Sequence, residues 1–176
     1  MSFRILQFPE DLALLRRRAL PLPDSAFGTP VLREYAQQLG VAMLLHKGIG
    51  IAATQVEFDP CWRVVIVSMG GNAYSALCNP EITDAGGTIE YQEGCLSFSS
   101  VTERLLGPMR VVVRYRTTGG ETREKECDVN ASRVVFHECE HLDGKLMIDR
   151  MGELQRRMFL RKVGRQRREE AEEAGS

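Results

Sequence analysis

The sequence predicts an α+β fold. It reads as one domain whose short antiparallel or mixed sheets pack around a central helix, with a further helix at the C-terminus. Three observations carry that reading. Helical periodicity marks both ends of the chain, and the stretch from Gly48 to Asp128 shifts to β-branched runs separated by turn residues. The 176 residues, 43% hydrophobic and 27% charged, are enough for one buried core and are not a disordered composition. No internal repeat or linker divides them.

Each element has a local reason. Residues 11–20 read as a short helix stopped by Pro21 and Pro23. Thr29-Pro30 opens a second helix, with Thr as N-cap and Pro at the first helical position. Val31, Tyr35, Leu39, Ala42, Met43 and His46 then recur at helical spacing up to Gly48. Residues 61–68 and 109–117 are β-branched and read as strands. Residues 117–120 look like a hairpin turn into a strand over 121–128. Asn130 or Ser132 caps a helix from about Arg133 to Leu142, closed by Asp143-Gly144. The last helix begins near Met151 or Gly152, packs Leu154, Met158 and Val163 inward, and ends in a frayed tail at 174–176.

Charge and cysteine usage narrow the class. Lys plus Arg number 23 against 24 Asp plus Glu, a net charge of −1, so no DNA or membrane partner is expected. The five Cys are odd in number and scattered, which argues against a disulfide framework and for a reducing compartment. No apolar stretch of signal-peptide length follows the N-terminus, and the longest near-apolar run, 64–67, is far too short to span a bilayer. A cytoplasmic location is expected.

The strongest motif is His137-Glu138-Cys139-Glu140-His141, which makes the central helix a metal-binding one. Residues i and i+4 lie close together on one helix face, so both imidazoles can hold one ion. Glu138 stands where a general base toward water is needed. Only three His occur in the chain, so a chance match is on the order of one in several hundred such chains. A catalytic site needs a third ligand and an open position. Met147 stands where one protease family has its third His. Glu169 lies in a charged tail, and His46 reads as a core or boundary residue. Cys95, in Glu93-Gly94-Cys95-Leu96-Ser97, is the better candidate; Gly94 allows a sharp backbone path and a thiolate completes a two-His, one-Cys set.

At this point three blocks resemble the motif set of peptide deformylases. Gly48-Ile-Gly50-Ile-Ala-Ala-Thr-Gln55 is similar to the family's first block. Glu93 to Ser97 is identical to its second, and His137 to Gly144 resembles its third. The flanks agree: Ile5-Leu6 with Pro9, Arg16 to Arg18 with Pro21, and Asn79-Pro80-Glu81-Ile82. The resemblance covers about residues 4–150. It implies removal of the N-formyl group from the N-terminal methionine of nascent polypeptides, releasing formate. It implies Cys95, His137 and His141 as ligands of one divalent ion, with Glu138 as the catalytic base that returns the proton to the leaving amine. Gln55 and the Leu96 N–H are implied as oxyanion donors. Substrate contacts are implied at Ile49, Gly50 and Gly94, where an extended peptide pairs by strand addition. The implied metal is Fe2+ in the cell, with Zn2+, Ni2+ or Co2+ also accepted, and zinc favoured by intrinsic affinity over iron. The implied organisation is a catalytic domain over 1–150, with 151–176 as a basic helix and tail of the same domain.

The sequence also departs from the family pattern. Phe136 replaces a Gln, Ser99 a frequent Pro, and Thr54 and Ile51 the commoner Pro and Leu. Residues 100–110 align irregularly, with Arg104 as one candidate for a substrate-facing Arg. Two alternatives follow: a divergent metal amidase acting on another acylated peptide, or a non-catalytic paralogue on the ribosome. The basic run Arg156, Arg157, Arg161, Lys162, Arg165, Arg167 and Arg168 reads either as a solvated helix face or as a ribosome contact through RNA phosphates.

Overall fold

The β-branched runs of the middle region form two antiparallel sheets in this computed structural model, which describes residues 4–69, 74–99 and 101–174. The larger sheet has the order β1 (Gly50–Ala52), β2 (Val64–Ser68), β3 (Tyr74–Gly86), β6 (Arg110–Arg116) and β7 (Thr122–Cys127). The smaller pairs β4 (Ile89–Gly94) with β5 (Thr102–Gly107). β2 is buried almost throughout, as its Val-Val-Ile-Val run requires, whereas β7 is an exposed edge studded with charge that blunts further pairing. β3 is long rather than short because it bends. Asn79 sits at φ 49° beside a register shift, and its side chain takes the Leu22 N–H at 2.8 Å and donates to the Leu22 carbonyl at 3.0 Å.

Two helices lie on the larger sheet. α2 (Pro30–Leu45) starts as its sequence indicates: the Thr29 hydroxyl accepts the Leu32 N–H at 3.2 Å, and Leu32, Tyr35, Leu39, Ala42 and Met43 are buried. His46 is not on that buried face; it is the exposed C-cap residue. α3 (Val129–Leu142) packs across β1, β2, β3 and β6. It begins earlier than its caps suggested. Asp128, not Asn130 or Ser132, accepts the Ala131 N–H at 2.8 Å. Ser132 is fully buried and ties strands instead: it takes the Val111 N–H at 3.0 Å and donates to the Cys127 carbonyl at 3.1 Å. Gly144 closes the helix at φ +74°, where a Cβ would meet the Arg16 carbonyl oxygen at 2.4 Å.

That same crowding shortens the first helix. α1 covers only Leu12–Leu15, because Arg16 to Leu20 are drawn into long-range bonds. Arg16 pairs with Asp149 and reaches the Gly144 carbonyl at 3.2 Å. The Ala19 N–H donates to Leu142 at 2.9 Å, and Leu20 bridges to Trp62. Tertiary hydrogen bonds here outweigh helix propensity.

A second apolar cluster joins the N-terminal strap, the Cys95 loop and α4 (Glu153–Ala174). Phe159 and Val163 are the buried anchors of α4, one turn apart. Each is worth about 1.5–3 kcal/mol of apolar burial. Val163 packs inward as expected, but Leu154 and Met158, also expected inside, are exposed; Phe159 completes the inward stripe. Of the expected frayed tail, Gly175 and Ser176 lie outside the described residues. All five Cys are free and buried. Among the described residues no helix is long and apolar enough to cross a membrane.

Candidate metal centre

The centre lies where the two apolar clusters meet. The buried inner face of α3 delivers His137 and His141, and the turn after β4 delivers Cys95. The two Nε2 atoms lie 3.1 Å apart, and His141 Nε2 lies 3.2 Å from the Cys95 sulfur. All three ligand atoms fall within 4.8 Å of one another, and all three residues are buried. The polarity of this arrangement is informative. Glu93 accepts from His137 Nδ1 at 2.7 Å, which places a proton on that nitrogen, so that in the neutral imidazole Nε2 is the nitrogen free to ligate. Two imidazole nitrogens and a cysteine sulfur that converge this closely could hold a metal ion, and N,N,S donors suit a borderline divalent one.

Outer residues hold the ligands. Glu93 also pairs with Arg150, whose Nε lies 3.0 Å from a Glu140 oxygen, so one guanidinium serves two largely buried carboxylates. Burial raises the Glu93 carboxyl, but His137 and Arg150 outweigh it and hold it below the ordinary range. The Thr54 hydroxyl donates to the His141 carbonyl at 3.0 Å. Burial opposes charge on both imidazoles. The Cys95 and Glu93 hydrogen bonds nevertheless keep His137 well above its ordinary value, and His141, beside it, is pushed well below.

Glu138 is the adjacent acid. One of its oxygens is buried without a hydrogen-bond partner among the described residues. Burial pushes its carboxyl up to about 7; His137 pulls it down and Glu93 adds to the rise. β1 comes this close because residue 50 is Gly: a Cβ there would meet Glu138 Oε1 and Val134 Cγ1, each at 2.6 Å.

Gln55 faces the same point from the turn after β1. Its Oε1 accepts the Ala52 N–H at 2.9 Å, which turns Nε2 toward the Ser97 hydroxyl at 3.2 Å and the Cys95 sulfur at 3.5 Å. The N-terminal strap fixes both loops. The Leu6 N–H bonds the Gln55 carbonyl at 2.8 Å, the Gln7 amide bonds the Leu96 carbonyl at 3.0 Å, and the Phe8 N–H bonds the Ser97 carbonyl at 2.9 Å.

These groups open onto one pocket of about 260 Å³. Ile49, Gly50, Gln55, Gly94, Cys95, Leu96, His137 and Glu138 all line it; His141 lies behind. The β1 and β4 edges flank it, each strand being paired on one side only. The Ile49 carbonyl is turned toward β2, where it accepts the Ser68 N–H at 3.0 Å. Other candidates fall elsewhere. Arg104 is exposed and pairs with Glu90, Glu169 pairs with Arg165 on α4, and Phe136 lies under the Arg150 guanidinium instead of on the pocket. Ser99 has φ 51°, a conformation proline cannot adopt. Sequence reasoning missed Arg150, Thr54 and Arg133. Arg133 alone left a signal: it stands one helical turn before His137 on the same face.

Comparison with known proteins gives a consistent picture. The polypeptide deformylase family profile matches residues 2–157. A peptide deformylase of Stenotrophomonas maltophilia is 34% identical over 164 residues, covering 93% of this chain and 95% of that one. The crystal structure of a peptide deformylase from Legionella pneumophila superposes with a TM-score of 0.86 at 25% identity, covering 97% of this chain and 98% of that one. A Met-Ala-Ser-bound class I type b peptide deformylase from Acinetobacter baumannii gives a TM-score of 0.79 at 28% identity, covering 86% and 99%.

Proposed function

Because this chain belongs to the polypeptide deformylase family, we propose that it hydrolyses the N-formyl group from the N-terminal methionine of nascent polypeptides and releases formate. The observation that carries the reading is the meeting of three ligand atoms and a buried, unpartnered Glu138 oxygen at one pocket. Residues 1–150 carry the chemistry in this reading, and 151–176 form the basic helix and tail.

Cys95, His137 and His141 hold one divalent ion, Fe2+ in the cell and Zn2+, Ni2+ or Co2+ in its place after purification. Such an ion supplies Lewis acidity and makes water more acidic when bound. Glu138 takes the proton from the attacking water and passes it to the leaving amine; a carboxyl near pH 7 can do both. Gln55 Nε2 and the Leu96 N–H donate to the formyl oxygen as it gains charge. The peptide lies as an added strand between Ile49–Gly50 at the start of β1 and Gly94 on β4. The Met-Ala-Ser bound by the Acinetobacter relative supports a short peptide as the occupant.

The reading places the protein in the cytoplasm beside the ribosome. Arg156, Arg157, Arg161 and Arg168 are exposed on α4, whereas Lys162 and Arg167 are used in docking to Glu103 and Glu10. The exposed arginines are the residues that would meet RNA phosphates. The function is tested by comparing formyl- and acetyl-Met peptides, with Glu138→Ala as control. Formate release by the wild type only, with the acetyl peptide untouched, is expected. Equal turnover of both peptides would assign a broader amidase.

A further inference from the structure

The pocket has an asymmetric rim. Besides the buried Glu93 and Glu138, the charged residues lining it are Lys47 and Arg133, both cations. The acids of the adjacent β4–β5 hairpin are already matched: Glu90 by Arg104 at 3.6 Å, Glu103 by Lys162 at 2.8 Å, and Glu93 by His137 and Arg150. Neither Lys47 nor Arg133 has an ion-pair partner among the described residues. Lys47 is exposed, in a left-handed conformation at φ 55° that turns the chain out of α2 into the Gly48–Gly50 loop. Arg133 is half-buried and positioned. It donates to the Gln92 carbonyl at 3.4 Å, its guanidinium lies 6.0 Å from the Tyr91 ring centroid, and it stands one helical turn before His137.

The bond to Gln92 also locates Arg133 relative to a substrate. Backbone groups two residues apart along a strand face the same side. The carbonyl that Arg133 takes therefore lies on the same edge of β4 as Gly94, about 7 Å along it. A peptide paired at Gly94 passes beneath the guanidinium within its next residues, and Lys47 lies on the β1 side of the same channel.

We propose that Lys47 and Arg133 form a cationic rim that selects formyl peptides bearing a carboxylate at their second or third residue. This rests on the deformylase reading and adds a specificity to it. Two sources can supply the carboxylate, an acidic side chain or the free C-terminus of a very short peptide.

The test compares kcat/KM of the metal-loaded enzyme at low salt for formyl-Met-Asp-Ala-amide, formyl-Met-Asn-Ala-amide and formyl-Met-Lys-Ala-amide. It adds formyl-Met-Ala as free acid and as amide. Asp should exceed Asn by about three- to tenfold, as one exposed and one half-buried charge contact allow, and Lys should fall below Asn. The ratio should shrink as salt rises. Arg133→Met should bring it toward one, and Lys47→Glu should push it toward Lys. A free-acid preference without an Asp preference assigns the rim to the C-terminus. Equal rates for Asp, Asn and Lys peptides, with free acid and amide also equal, would overturn the proposal while leaving deformylation intact. Absence of turnover for every peptide would instead overturn the deformylase reading. Titration of Met-Asp-Ala-amide and Met-Asn-Ala-amide by calorimetry then still reads the rim, equal affinities counting against it.

Discussion

Replacing Arg150 by Met separates the role of the ligand shell from that of the ligands. The guanidinium is 16% exposed and stands between Glu93, 6% exposed, and Glu140, 15% exposed. Glu93 keeps His137 as a partner when Arg150 is lost, but Glu140 keeps none of comparable strength. Burial already raises the Glu140 carboxyl, with Arg150 the first influence holding it down. Breaking a buried pair by removing one partner is worth about 3–5 kcal/mol, and the retained His137 contact places this case near the lower end, about 3 kcal/mol. For a chain of this length each kcal/mol moves Tm by about 2–4 °C, so Tm should fall by about 6–12 °C. Loosening Glu93 should also weaken metal retention by about 10- to 100-fold, because Glu93 sets the tautomer and aim of His137. Scanning calorimetry of metal-free protein reads the first effect, and chelator competition reads the second. Adding Glu140→Gln to Arg150→Met removes the stranded charge and should recover part of the stability. A Tm within about 1 °C of wild type would refute the reasoning, as would unchanged metal retention.

Gly50→Ala should lower kcat by about a hundredfold, because the new Cβ would lie 2.6 Å from Glu138 Oε1 and force that carboxylate aside; steady-state kinetics with a metal assay separates this from metal loss. Gln55→Leu removes the donor proposed for the formyl oxygen and should reduce kcat by about 10²- to 10³-fold with a smaller change in KM. Asp149→Asn tests the Arg16 pair, which holds the Asp149 carboxyl below the ordinary range against the opposing effect of burial. A depressed carboxyl stabilises above its unfolded pKa, and that contribution is lost as pH falls through the folded value. The variant should therefore unfold earlier than wild type near pH 7, and the two Tm curves should converge as pH drops below about 4.

What the sequence revealed and what it hid divide on physical grounds. His137 and His141 were legible because their spacing is itself the geometry of a helix face. Cys95 was legible because two His call for a third donor. Thr29 was legible as a cap because capping is local. Residues 16–20 were misread as helix because their partners, Gly144, Leu142 and Trp62, are remote in sequence. Ser132 looked like a cap, but its hydroxyl was claimed by two strands. Leu154 and Met158 looked inward-facing because periodicity on a helix rich in Arg does not say which stripe has a partner; the Phe98 ring, tilted against Phe159 at 5.6 Å between centroids, decides it. Arg150 and Thr54 acquire roles only once β4, the β1 turn and α3 converge, so no local pattern announced them; Arg133 left one sign, its place a helical turn before His137.

The central claim is that one ion at Cys95, His137 and His141 works with Glu138 to release formate. Its most direct measurement is formate production from a formyl-Met peptide as divalent metal is titrated into chelator-stripped protein. The account predicts activity that rises to one equivalent and then levels in the wild type, and none at any metal level in Glu138→Ala. Full activity before metal is added, or equal activity in Glu138→Ala, would contradict it.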